Sequence, residues 1–114
     1  MPQSHSTRPS PIGEPVSVTA WGELRGERKL PGVLRVLVAG KSAGGAERAG
    51  ESWRACWYTA ASRSRVTEHA TADEAVAAVI ASGWARKLGA RASSRVQWSE
   101  RARRTASRRA AVSR

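Results

Sequence analysis

The sequence contains few of the residues that build large cores. Its 114 residues include no phenylalanine, one tyrosine and one cysteine. The large apolar anchors are therefore five tryptophans, with a few Leu, Val and Ile residues. Because a chain of this length has room for one domain and much of its apolar content is alanine, we expect a thin core. Self-association as a homo-oligomer, or a larger protein partner, would help to stabilise such a core.

The scarcity of cysteine and histidine excludes several kinds of site. Cys56 has no second cysteine with which to form an internal disulfide, and no Cys/His cluster has the spacing of a zinc site. Neither His5 nor His69 has an identifiable nucleophile nearby, so no acid–base pair can be assembled. We therefore predict a non-enzymatic protein that uses no metal and no cofactor.

Long apolar runs are also absent from the sequence. No segment approaches the roughly 20 apolar residues that span a bilayer. The N-terminal region lacks the basic stretch followed by an apolar stretch that is typical of a secretory signal. The sequence therefore predicts a cytoplasmic protein without a transmembrane segment.

The stretch VLVAGKSAGG, residues 36–45, invites comparison with a phosphate-binding loop. That loop requires a glycine, four further residues and then Gly-Lys-Ser/Thr, so that backbone amides can surround the phosphates. Residues 40–42 supply the end of the pattern, but Arg35 occupies the position of its first glycine. We therefore interpret residues 40–50 as a flexible connection that follows a buried strand over residues 33–39.

Alternation of apolar and polar residues predicts the other strands. Residues 1–15 are rich in proline and serine and are expected to form a disordered leader. Residues 16–21 alternate as a half-buried strand does, and the Pro-Gly pair at residues 31–32 indicates a turn after it. Residues 53–59 and 65–70 are expected to pair as an antiparallel hairpin.

The clearest local signal is a capping box at Thr71-Ala-Asp-Glu74. In this motif the Thr71 hydroxyl accepts a hydrogen bond from the Glu74 amide, and the Glu74 side chain reaches back to the Thr71 amide. Apolar residues recur at helical spacing from Ala75 to Leu88, and Gly89 is a suitable end. Gly83 costs about 1 kcal/mol relative to Ala inside a helix, which favours a kink or an end near Ser82.

These elements predict an α+β domain over residues 16–89, in which a small antiparallel sheet of three or four strands packs against one helix. Residues 90–114 lack a sustained apolar stripe, so we expect a basic tail that is disordered alone or helical on binding. Trp98 in this tail is expected to fold back onto the core in preference to stacking on a base.

The charge balance indicates a polyanionic partner. The formal net charge is +11, and residues 90–114 contribute eight arginines against one glutamate. Nucleic acid is favoured over an anionic membrane surface as the partner. Arginine outnumbers lysine 17 to 3, and alanine and glycine are abundant, which is typical of proteins from GC-rich bacteria.

Residues 51–84 resemble the arm-type DNA-binding N-terminal domain of phage and transposon tyrosine integrases. The matching residues are Trp53-Arg54, the strand from Arg65 to Thr71, and the helix start TADEA at residues 71–75. Where that family has an aromatic residue before the helix cap, this chain has Ala70. The resemblance implies two or three basic strands, a helix across one face, and DNA contact by the opposite face. It implies a stand-alone binding module, since no recombinase domain follows.

Strand alternation, combined with this resemblance, assigns the side chains that would contact DNA. Trp53 and Trp57 would turn towards the helix, which leaves a basic face exposed. The residues expected on this face or in its turn are Arg54, Tyr58, Arg63, Arg65, Thr67 and His69. Arginines of the tail would add sequence-independent attraction to phosphates. These arginines are Arg101, Arg103, Arg104, Arg108 and Arg109.

Together the observations predict a small non-enzymatic nucleic-acid-binding accessory or regulatory protein from a plasmid or phage of a GC-rich bacterium. DNA is favoured over RNA as its ligand. One alternative is a protein-interaction module of a plasmid-transfer or phage assembly, in which exposed tryptophans dock a larger partner and the basic tail is only a solubilising extension. A second alternative is that the basic sheet face is simply a solvated surface in an arginine-biased protein.

Overall fold

The computed structural model describes residues 13–60 and 63–107, which form an α+β fold with one mixed sheet and three short helices. The strands are β1 (Val16–Ala20), β2 (Val33–Val38), β3 (Lys41–Ala49), β4 (Ser52–Ala60), β5 (Arg63–His69) and β6 (Val96–Trp98). The helices are α1 (Ala72–Ile80), α2 (Gly83–Lys87) and α3 (Glu100–Ser107). The proposed leader lies almost entirely outside the described residues.

The strand order across the sheet is β5-β4-β3-β2-β1-β6. Neighbouring strands from β1 to β5 are antiparallel, whereas β6 runs parallel to β1, with Val16 opposite Val96. The Gly22–Gly32 region joins β1 to β2, as expected for a turn. The chain thus builds five strands in succession and adds β6 beside the first one only after α1 and α2.

A tight turn at Ala39-Gly40 joins β2 to β3. Both residues have positive φ, 51° and 81°, as the hairpin turn that matches the twist of the flanking strands requires. Lys41 pairs with Val38 directly after the turn. The GKS sequence therefore lies in a hairpin, and the prediction of a flexible connection over residues 40–50 is wrong because most of that segment is β3.

Glycine in β3 serves close packing. A Cβ at Gly44 would lie 2.2 Å from the Cys56 carbonyl oxygen and 3.0 Å from Val79 Cγ1 of α1. The register of β2 against β3 shifts next to this residue, and glycine inside a strand is typical of such bulges and close approaches. The composition of β3 suggested mobility, whereas Gly44 allows α1 to approach the strand backbone.

The core lies on one face of the sheet, here called the helix face. α1 packs over β3, β4 and β5, and α3 packs over β1 and β2. Trp53 is the largest buried side chain there, and the rest are mainly valines and alanines. The buried strand residues are Val16, Val18, Ala20, Leu34, Val36, Val38, Ala43, Ala46, Trp53 and Ala55. The helices contribute Ala72, Ala75, Val76, Val79, Ala85 and Ala102.

The predicted architecture, a sheet of three or four strands against one helix, is wrong, because the described residues contain six strands and three helices. Two elements account for much of the difference. β6 has three residues and is held by pairing with β1, and α3 buries only Ala102. Both lie in the predicted tail. The sequence does not reveal them because tertiary contacts, and not a local apolar stripe, define them.

The ends of α1 follow the predicted capping signals closely. The Thr71 hydroxyl accepts from the Glu74 amide at 3.1 Å, but the Glu74 carboxylate accepts from the Ala70 amide, one residue earlier than expected. α1 ends at Ile80, and the Ser82 hydroxyl then accepts from the Ala85 amide at the start of α2. The predicted end near Ser82 is therefore confirmed.

The longest helix among the described residues, α1, has nine residues. None of the described helices has both the length and the apolar character needed to cross a bilayer.

Candidate nucleic-acid interface

None of the described helices packs on the face of the sheet opposite α1 and α3, which is here called the open face. In an antiparallel pair, residues directly opposite each other point to the same side. Arg54 is opposite Glu68, Cys56 is opposite Val66, and Tyr58 is opposite Ser64. These six side chains therefore form the β4–β5 part of the open face, and all six are exposed.

The predicted basic face mixes the two sides of the sheet. Arg54 and Tyr58 lie on the open face, as expected, and Arg63 lies exposed at the start of β5. Arg65 and Thr67 instead pair with Trp57 and Ala55, which places them on the helix face. The prediction that Arg54, Tyr58, Arg65, Thr67 and His69 share a face is therefore wrong, because the observed pairing turns the odd-numbered residues of β5 towards the helices.

The same register places Glu68 on the open face, opposite Arg54. On the open face its carboxylate lies 3.8 Å from the Arg54 Nε, with both side chains at least half exposed. An ion pair this exposed contributes little to stability. Across the strand, His69 lies on the helix face, where its Nε2 is 2.7 Å from the Thr67 hydroxyl. The β4–β5 part of the open face is thus less basic than the sequence suggested.

A groove of about 300 Å³ crosses the open face above β3 and is here called the groove. Its floor includes the backbone of Gly44 and Gly45, where a Cβ on Gly45 would lie 2.7 Å from the Leu34 carbonyl oxygen. Trp21 and Tyr58 both line the groove, and Tyr58 is 56% exposed. The other side chains that line it include Val33, Glu47, Arg54, Cys56 and Ser64. The result is a recess with aromatic and polar side chains around a glycine floor.

Trp21 is held in place by the loop between β1 and β2. The Arg35 guanidinium lies 3.9 Å from the centroid of the Trp21 ring and also forms an ion pair with Glu27. The Glu27 carboxylate accepts from the Gly22 amide at 3.0 Å and is 11% exposed. Because the cation, the ring and the carboxylate constrain one another, Trp21 has a defined position at the edge of the groove.

A second cavity, of about 370 Å³, lies between this loop and α3 and is here called the basic pocket. Lys29 lines it from the loop, Arg101 and Arg104 line it from α3, and Trp21 contributes to its wall. Arg101 and Arg104 are three residues apart and therefore share one side of the helix. Among the residues that line this pocket there is no carboxylate.

The position of α3 is set by its first turn and by one buried alanine. The Ser99 hydroxyl accepts from the Ala102 amide at 3.0 Å and donates to the Glu23 carboxylate at 2.6 Å. Ala102 is fully buried against the sheet, and the Arg48 guanidinium donates to the Thr105 carbonyl oxygen at 2.7 Å. The arginines on the outer side of α3 are therefore presented by an anchored helix.

The predicted tail arginines divide into three groups. Arg101 and Arg104 line the basic pocket. Arg103 instead stacks over Trp98, 4.1 Å from the ring centroid, and pairs with Asp73 of α1 at 3.2 Å. It therefore ties two helices together, while Trp98 packs against the core as expected. Arg108 and Arg109 lie outside the described residues.

Sequence reasoning missed two residues of this region, Trp21 and Lys29. Trp21 is one of the five tryptophans expected to serve as apolar anchors, and Lys29 lies in a loop of mixed charge. No local pattern links either residue to Arg101 and Arg104, some 70 to 80 positions later. Only the packing of α3 beside the loop brings them together.

The described residues contain no group of three or more His, Cys, Asp or Glu side chains placed to hold a metal ion. No protein-family model, curated protein or solved structure matches the chain. The function is therefore inferred from the geometry of the chain itself.

Proposed function

We propose that the chain is a nucleic-acid-binding protein whose basic pocket contacts backbone phosphates. The observation that carries this proposal is the convergence of Lys29, Arg101 and Arg104 on one concave surface beside Trp21. Within the described residues, none of these three cations takes part in an ion pair. In our proposal the protein is a non-enzymatic accessory or regulatory factor of a plasmid or phage, and acts in the cytoplasm of a GC-rich bacterium.

The electrostatics of the pocket favour a phosphodiester ligand. Cations gathered in a cleft reinforce one another's potential and raise the local concentration of anions. Arginine guanidinium groups bind phosphate oxygens through two parallel hydrogen bonds, which gives an oriented contact. With a net charge of +11, the whole chain attracts a polyanion over a longer range as well. A ligand with several successive phosphates satisfies this arrangement better than a single small anion.

The arrangement around β4 supports DNA in particular. Strands β3, β4 and β5 are antiparallel neighbours, and α1 follows them and packs over all three. The resemblance to integrase arm-binding domains implies such a unit, with DNA on the face opposite the helix. Arg54 lies on that face, and its exposed pair with Glu68 costs little to exchange for a phosphate.

The alternative function, a protein-interaction module, relies on exposed tryptophans. Trp53 is 4% exposed, and Trp57, Trp84 and Trp98 pack against the core. Trp21 is partly covered by its stacking on Arg35. The four tryptophans other than Trp21 thus have structural roles within the domain. Trp21 lies beside the cations of the basic pocket, so we propose nucleic-acid binding in preference to protein docking.

The direct test removes the two α3 cations of the basic pocket. In the Arg101→Ala/Arg104→Ala variant, we expect weaker binding to oligonucleotides in gel-shift and anisotropy titrations. If both arginines contact phosphates, the slope of log affinity against log salt should fall by about 1.4 for single strands or about 1.8 for duplex. This change arises because two fewer counterions are released on binding.

A matched control is Arg86→Ala/Lys87→Ala, which removes the same charge from α2, above β3 and β4. We expect this control to change affinity less than the α3 variant does. Equal losses in the two variants would show that overall charge, and not the basic pocket, attracts the ligand. Failure of the intact protein to retard duplex or single-stranded nucleic acid at low salt would contradict the proposal as a whole.

A further inference from the structure

We infer that the groove receives an unpaired nucleobase, so that the ligand of this protein is a single strand and not a duplex. The inference rests on the proposed function and narrows its ligand to a single strand, which replaces the duplex contact that the integrase resemblance implies for the same face. The strand would lay one base on Tyr58 and another on Trp21, which line the same groove, while its phosphates meet Lys29, Arg101 and Arg104. Trp21 lines both cavities and so marks the boundary between the base contact and the phosphate contacts.

The shape of the groove favours a flat ligand. A volume of about 300 Å³ is at the lower end of the range for pockets that hold small molecules. Its floor includes the backbone of Gly44 and Gly45 in β3, which is an interior strand of the six-stranded sheet. Duplex DNA is read by elements that protrude into a groove, such as a helix or a two-stranded ribbon. A recess in the middle of a sheet face offers no such protrusion, whereas an extruded base can enter it.

The side chains around the groove favour a base over a phosphate. Tyr58 is exposed, and aromatic rings on sheet faces are typical stacking surfaces for unpaired bases. Glu47 also lines the groove, and its carboxylate repels phosphate but accepts hydrogen bonds from the exocyclic amino group of a base. The groove therefore favours a base and the basic pocket favours a phosphate. The two cavities adjoin at Trp21, so one strand can occupy both.

Trp21 is organised before any ligand binds. Its ring lies 3.9 Å from the Arg35 guanidinium, and Arg35 is itself held by Glu27. A stacking surface that is already ordered loses little conformational entropy when a base arrives. The ion pair with Glu27 fixes Arg35, and Arg35 in turn holds the Trp21 ring in position for a base to stack on it.

The test compares one mixed-sequence oligonucleotide as a single strand and as a duplex. We expect tighter binding of the single strand by the intact protein at equal salt. Tyr58→Leu should weaken single-strand binding about 5- to 100-fold through loss of base stacking and leave duplex binding nearly unchanged. Because Tyr58 is exposed, this variant is expected to fold, which its thermal unfolding curve will check.

Two controls separate stacking from general disturbance of the face. Tyr58→Phe keeps the ring and should bind within about twofold of the intact protein. Val66→Ala changes an exposed side chain of the open face that does not line the groove, and should also have little effect. Trp21→Phe should retain most of the affinity but reduce the quenching of tryptophan fluorescence that a stacked base produces.

Two results would overturn the inference. One is duplex binding at least as tight as single-strand binding, and the other is an unchanged single-strand affinity in Tyr58→Leu. In either case, loss of binding in Arg101→Ala/Arg104→Ala but not in its α2 control would still support the proposed function. Absence of binding to any nucleic acid would remove both proposals together.

Discussion

At the scale of single residues, arginines of this chain have different surroundings. Arg35 lies between the Trp21 ring and Glu27, and Arg103 joins Trp98 to Asp73. Arg101 and Arg104 instead face a cavity. The count of basic residues predicts attraction to polyanions, but the neighbours of each guanidinium decide which ones are available to a ligand.

A single hydroxyl is expected to stabilise the start of α1. Thr71→Ala removes the acceptor that lies 3.1 Å from the Glu74 amide. We expect the free energy of unfolding to fall by about 1 kcal/mol, measured by urea denaturation. Thr71→Ser keeps the oxygen and should remain close to the original stability. An equal loss in both variants would assign the effect to the Thr71 methyl group and contradict the capping role.

At the scale of elements, β3 and β5 show how local patterns mislead. The glycines of β3 suggested a loop, but Gly44 allows α1 to lie close to the strand. In β5 the one apolar residue, Val66, points to the open face, and the residues that point towards the helices are polar, so no apolar pattern identifies the buried face. A strand with polar residues at every other position has a weakly specified register, and one residue of slip reverses every side chain.

The tight contact at β3 gives a prediction about two glycines. Gly44→Ala would place a Cβ 2.2 Å from the Cys56 carbonyl oxygen, which forces the backbone to move. We expect a loss of at least about 1–3 kcal/mol of unfolding free energy, the usual cost of overpacking. Gly83→Ala is the comparison, because a Cβ at that position would have no atom within 4 Å and the φ of Gly83 is not in the left-handed region.

In the same denaturation experiment Gly83→Ala should be neutral or should stabilise the protein by up to about 1 kcal/mol, since it restricts the unfolded chain. If Gly44→Ala were as stable as Gly83→Ala, close packing of α1 on β3 would not hold in solution.

At the scale of the whole molecule, the last described elements complete the fold. β6 extends the sheet beside β1, and α3 covers the β1–β2 end of the helix face. Ala102 is buried, Ser99 is hydrogen-bonded to Glu23, and Arg48 contacts Thr105. The segment that carries Arg101 and Arg104, which we propose to bind phosphate, is therefore an integral part of the domain.

This arrangement predicts different effects for two truncations. Removal of residues 99–114 should expose the helix face over β1 and β2. The cooperative thermal transition measured by circular dichroism should then disappear or be strongly weakened. A domain of this size has only about 5–15 kcal/mol of stability to lose. Removal of residues 108–114 should keep the transition but weaken nucleic-acid binding, because three arginines are lost. Unchanged cooperative unfolding after the longer truncation would contradict the structural role of α3.

The sequence by itself determined the features that depend on neighbouring residues. The capping of α1 at Thr71, the end near Ser82, the sides of β4 and the excess of positive charge all follow from local spacing and composition. Tertiary structure decided the place of β3 in the sheet, the addition of β6 and α3, the register of β5 and the meeting of Trp21 with Arg101 and Arg104. The physical reason is that these features depend on contacts between residues far apart in the chain, whose energies leave no periodic trace in the sequence.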